Sequence, residues 1–113
     1  MPYIHARLSI ALDETKKNDL QAKLTNVVGE AFSKPAAYIM SEVADGCSLY
    51  MAGNKIDGAY VSVSLLGNAQ KDRCNAVTQK ICDILSSEYG LDGSKVYVTF
   101  HPESLWGWNG MMF

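Results

Sequence analysis

Two stretches of this chain carry the same order of signals, and that duplication constrains the fold more than any other feature. Residues 2–9 alternate, with Ile4, Ala6 and Leu8 on one face and Tyr3, His5 and Arg7 on the other, the period of a half-buried strand. Asp13 is a plausible N-cap, and residues 14–32 place Leu20, Leu24, Val27, Val28, Ala31 and Phe32 at helical spacing, with Lys16, Lys17, Gln21 and Lys23 mostly outside. Ser33-Lys34-Pro35 breaks that helix, because proline disfavours helix at the residue before it, and residues 38–43 resume an extended pattern. The order then recurs. Residues 59–66 are rich in Val, Tyr and Leu and close on Gly67-Asn68. Residues 70–89 put Cys74, Val77, Ile81, Ile84 and Leu85 on one helical face before Gly90, a natural C′ residue, and residues 95–101 read as a strand. Ser33-Lys34 before Tyr38-Ile39 is echoed by Ser94-Lys95 before Tyr97-Val98.

The expected fold is therefore α+β, a duplicated β-α-β unit within one domain spanning residues 1–113. Each crossover should be right-handed and bring its two strands parallel, giving a four-stranded sheet with both helices on one face. The other face has no cover within the chain, and with its partly apolar residues it predicts self-association. Residues 45–58 read as a connection, with a brief strand at Leu49-Tyr50-Met51. Residues 106–113 form an aromatic tail whose Gly107, Asn109 and Gly110 suit a tight turn.

A chain of 113 residues buries about two thirds of its unfolded surface, enough for one core. Its apolar fraction of 48% and net charge of -2 exclude disorder and leave no basic field for nucleic acid. No apolar run approaches a membrane span, and the N-terminus lacks a signal-peptide pattern, so a cytoplasmic protein is expected. Cys47, Cys74 and Cys82 form an odd set with no CxxC and no histidine at metal-ligand spacing, and are read as reduced thiols.

Position 2 carries the chemistry. A small residue there normally lets the initiator methionine be trimmed, which would expose Pro2 as a secondary amine. An α-amino group titrates at about 8 in water; burial beside another cation would lower that and leave a neutral base near pH 7. The plainer reading is that Pro2 only begins an edge strand, where a missing N–H costs nothing. Retention of Met1 would make its nitrogen an amide without basicity.

Pro2, Ser33-Lys34-Pro35 followed by Tyr38-Ile39, Leu66-Gly67, Val96-Tyr97-Val98, and Gly107-Trp108-Asn109-Gly110 with terminal Phe113 fall in one order and spacing. Together they resemble the macrophage migration inhibitory factor family of the tautomerase superfamily, over essentially the whole chain. The resemblance implies a homotrimer whose sheets line a central barrel, with a site at each subunit interface. It also implies keto-enol tautomerisation of phenylpyruvate-type or dopachrome-type substrates, small aromatic keto acids, with no metal or cofactor. By position, Pro2 looks like the base, and Lys34 like the cation that holds the substrate carboxylate and helps keep Pro2 neutral. Leu66 would line the pocket and add a backbone contact, and Tyr97 and Thr99 would reach in from the adjacent subunit. Tyr38, Trp106, Trp108 and Phe113 would form an aromatic wall.

Each assignment has a plainer counterpart. Lys34 also suits a solvated lysine at a helix C-terminus, Tyr97 a strand residue bonding its hydroxyl at the interface, and Trp106 and Trp108 interface anchors. His5 and His101 are read as strand histidines outside the site. The chain departs from the family at Leu66, where isoleucine is common, and at Thr99, where the mammalian cytokine has asparagine. Gly58-Ala59-Tyr60-Val61 replaces a CxxC, so thiol-disulfide activity is not carried over. Met111-Met112 replaces a small polar pair. The alternative function that the resemblance allows is a cytokine-like signal, exported without a leader peptide, that binds a cell-surface receptor.

Overall fold

The computed structural model describes residues 1–113. Strand β1, Pro2–Leu8, buries Ile4, Ala6 and Leu8, as its alternation requires. It runs into helix α1, Glu14–Phe32, whose first turn is capped by the Asp13 carboxylate accepting from the Lys16 N–H at 2.8 Å. Leu20, Leu24, Val28 and Phe32 recur every fourth position and form the stripe that α1 lays on the sheet. In the second unit, β5 is Ala59–Leu66, α2 is Lys71–Tyr89 and β6 is Val96–Glu103. Val77, Ile81 and Leu85 form the matching stripe of α2, and Gly90 follows as the left-handed residue that ends it.

The sheet order is β2-β1-β5-β6, where β2 is Met40–Ala44. β1 pairs parallel with β2, β5 pairs parallel with β6, and the two units join through antiparallel β1 and β5. Both helices pack on the same face, because their stripes and the inward residues of β1 and β5 belong to one core of 17 buried residues. Each fully buried Leu or Ile there contributes about 1.5–3 kcal/mol before entropy is counted. No helix is long and apolar enough to cross a membrane.

Two details differ from the sequence reading, and two expected features gain a partner. β1 is an interior strand, so Pro2 is tolerated because it is the first residue of its strand and not because the strand is at an edge. Tyr38 does not begin a strand: Ala36–Tyr38 is a 3₁₀ turn after Pro35, and β2 starts at Met40. The brief strand β3, Tyr50–Met51, is half of a small hairpin with β4, Asn54–Lys55. The C-terminal tail also forms a hairpin, β7 at Gly107–Trp108 with β8 at Met111–Met112, turning on Asn109 and Gly110, which both have positive φ.

The face away from the helices carries Tyr60, Tyr97 and Met40, as a partly apolar face should. Its centre is polar, however. Register places Glu42, His5, Ser62 and Thr99 side by side across the four strands, with Tyr3, Ser64 and His101 in the next row. The Tyr60 and Thr99 hydroxyls lie 2.7 Å apart, and Thr99 Oγ1 is 3.0 Å from His101 Nε2.

Candidate active site

The start of β1, the turn before β2 and the C-terminal hairpin meet around one cavity of about 510 Å³. Met1, Pro2 and Tyr3 form one wall, the 37–40 segment a second, and Trp106 to Trp108 a third. Pro2 is buried. The Tyr38 ring meets Trp108 edge-on with centroids 5.9 Å apart, and Phe113 stacks on Trp108 at 6.1 Å. Both geometries are favoured for aromatic pairs. The Phe113 N–H donates to the Trp106 carbonyl at 2.9 Å, which ties the end of the chain to the pocket wall.

Lys34 reaches this end of the sheet from the turn after α1. Ser33 takes a left-handed conformation, and the Lys34 N–H returns to the Gly29 carbonyl at 2.9 Å. Gly29 permits the close approach, since a Cβ there would stand 3.0 Å from the Lys34 carbonyl oxygen. The Lys34 ammonium donates to the Leu66 carbonyl at 3.2 Å. The Met1 α-amino group is held below the ordinary α-amino value, first by burial and then by the positive charge of Lys34. Both influences favour the neutral form of that amine, which stands one residue before Pro2.

The structure thus brings Pro2, Tyr38, Trp106 and Trp108 to one cavity, with Phe113 behind Trp108. Leu66 adjoins it through its N–H, which donates to the Met1 carbonyl at 3.4 Å, and Lys34 through its bond to Leu66, but neither lines it. Tyr97 and Thr99 lie apart from it within the chain. The β1–β5–β6 registers align Pro2 with Pro102, and Tyr97 with Arg7 at the far end of β1. Tyr97 is 64% exposed on the open sheet face, and the Thr99 hydroxyl is engaged by Tyr60 and His101. Sequence reasoning missed Tyr3, Ile39 and Met40, which also line the cavity. The signal for Tyr3 was its position next to Pro2; that for Met40 was the Tyr3–Met40 register, which only the folded sheet provides. No three His, Cys, Asp or Glu side chains stand together in a way that could hold a metal ion.

Comparison with known proteins agrees with this architecture over the full chain. The structure of a macrophage migration inhibitory factor from Leishmania major superposes with a TM-score of 0.91 at 26% identity, covering 100% of this chain and 97% of that one. A homologue from Prochlorococcus marinus gives 0.87 at 27% identity, covering 98% of each chain. The MIF-like protein mif-2 of Caenorhabditis elegans is 26% identical over 112 residues, 97% of this chain and 92% of its own length. The sequence profile of the family described as macrophage migration inhibitory factor (MIF) matches residues 1–113 from end to end, in keeping with the paired β-α-β units and the hairpin that closes them, and so the chain belongs to that family.

Proposed function

We propose that this protein is a cofactor-free keto-enol tautomerase in which Pro2, freed by removal of Met1, is the base. The observation that carries the reading is electrostatic: the head of β1 combines burial with the Lys34 charge, and both lower an amine's pKa. A neutral secondary amine there takes a proton from the carbon next to the ketone of a phenylpyruvate-type or dopachrome-type acid. The electron pair moves to the carbonyl oxygen, which takes up the proton that Pro2 carries and regenerates the amine, so the step is a redox-neutral isomerisation. Lys34 has three N–H donors and uses one on Leu66, leaving two for a carboxylate. Tyr38, Trp106 and Trp108 provide the flat apolar walls that a planar ring requires, with Phe113 as support.

The site is completed in a homotrimer, the assembly that family membership supports. The separation of Tyr97 and Thr99 from Pro2 within one chain supports their arrival from a neighbouring subunit. Positioned proton transfer contributes on the order of 10²- to 10⁴-fold. Pro2→Gly should therefore lower phenylpyruvate turnover by about that factor while leaving the fold intact; unchanged turnover overturns the reading. Intact mass of the natural protein is the companion measurement, since retention of Met1 removes the free amine.

Family membership also supports a second reading, a secreted ligand of a cell-surface receptor. Receptor binding by Pro2→Gly at wild-type strength, with no wild-type activity on any keto acid, would favour it over the enzyme.

A further inference from the structure

One group of side chains on the open sheet face touches the cavity but has no part in the proposed reaction. Tyr3 and Met40 are register partners, and both line the cavity. Two residues further along the same face, Glu42 stands opposite His5. The Tyr3 hydroxyl donates diagonally to Glu42 Oε1, and His5 Nε2 lies 3.8 Å from the same oxygen. That hydrogen bond, followed by burial and the charge of Glu42, raises the Tyr3 phenol above the ordinary tyrosine value, so the hydroxyl stays protonated as a donor.

We infer that Glu42 is a positioning residue of the cavity, fixing the Tyr3 ring where it lines the wall, and that protonation of His5 loosens this latch. The inference rests on the reading of the cavity as the substrate site. The Tyr3 ring lies tilted against the His5 ring, with centroids 6.1 Å apart, and its hydroxyl adds the one charge-assisted bond that sets its direction. A neutral His5 at 3.8 Å is beyond hydrogen-bond reach, which leaves Oε1 to Tyr3. An imidazolium at that distance competes with the phenol for the same oxygen. The other groups facing His5 do not replace Glu42. Tyr3 and Arg7 flank it along β1, Ser62 opposes it from β5 beside Tyr60, and both helices pack on the opposite face. Glu42 is the single acid among these neighbours.

The test uses the full assembled protein with phenylpyruvate as probe. Tyr3→Phe should raise KM about five-fold near pH 8 with kcat nearly unchanged, the size of one lost hydrogen bond. Adding Glu42→Ala to it should change nothing further, because the two residues act as one unit. Wild type should show the same rise on acidification from about pH 8, and Tyr3→Phe and His5→Gln should not. The limb of the N-terminal amine is common to all these chains and cancels in the comparison. Tryptophan fluorescence of the unliganded protein gives a readout independent of activity: Trp106 and Trp108 share the cavity with Tyr3, so a step on acidification should appear in wild type and be lost in His5→Gln. A fluorescence step without turnover in any chain would overturn the tautomerase reading and leave the latch standing. Turnover with the same KM and pH dependence in wild type, Tyr3→Phe and His5→Gln would overturn the latch.

Discussion

An ammonium with one backbone partner keeps donors for a ligand, and Lys34 is in that state beside the Leu66 carbonyl. Hydrogen bonds to charged groups contribute about 1.5–3 kcal/mol, so Lys34→Ala should raise KM for phenylpyruvate roughly 10- to 100-fold. A neutral ketone lacking the carboxylate should keep its KM, losing only the turnover that a higher amine pKa costs, and steady-state kinetics on the pair of substrates would check this; equal rises in KM on both would remove Lys34 from carboxylate binding. At this scale the sequence was informative wherever a residue type carries its own chemistry. Pro2 is the proposed amine, Lys34 is a cation, and Tyr38, Trp106 and Trp108 are flat rings, and the structure gathers all of them at one end of the sheet. It was uninformative where a role comes from a neighbour. Nothing in the 2–9 pattern says that Tyr3 faces Met40 or reaches Glu42, because cross-strand register depends on how β2 docks.

Between elements, the end of β2 is stapled to the loop after β1 by Asp45. Its carboxylate accepts from the Leu12 N–H at 2.8 Å and pairs with Lys17 at 3.0 Å. These contacts, the backbone bond foremost, hold the Asp45 carboxyl below its ordinary value, and Lys17 is correspondingly raised by Asp45. A carboxyl depressed in the folded state contributes stability above its unfolded pKa and loses it as pH falls through the folded value. Asp45→Asn should therefore lower Tm at neutral pH, and the gap to wild type should narrow in acid; a gap independent of pH would contradict the staple. Gly58 is a second junction. A Cβ there would stand 2.2 Å from the Lys95 carbonyl oxygen, so Gly58→Ala should cost about 1–3 kcal/mol in urea unfolding. Element boundaries were readable where punctuation is strong. Asp13 and Ser33-Lys34-Pro35 set α1 at Glu14–Phe32, as the sequence suggests. They blurred at residues 36–38, where Ala-Ala-Tyr suits a 3₁₀ turn as well as a strand, and the register that starts β2 at Met40 decides.

For the whole molecule, the open sheet face and the C-terminal hairpin argue for neighbours. Leu105, Met111, Met112 and Phe113 are exposed together, and β2 and β6 leave unpaired edges. The centre of the open face is polar, so apolar contact between copies should concentrate at the hairpin and the edges. Sedimentation at micromolar concentration should show a trimer, with activity lost on dissociation, and a fully active monomer would contradict a shared site. Duplication made the parallel pairing within each unit and the shared helix face readable in the chain, but not the interior place of β1; the subunit number came from the family, because one chain's surface says that it needs a neighbour and not how many. The central claim is that a neutral N-terminal amine does the chemistry in this pocket. Its most direct test is the pH dependence of kcat/KM for phenylpyruvate on the trimeric, Met1-free protein, which reports the base of the free enzyme. The account predicts a rise with pH whose midpoint lies below the roughly 8 of an ordinary α-amine, with the activity lost in Pro2→Gly. A midpoint at or above that value, or the same profile in Pro2→Gly, would contradict it.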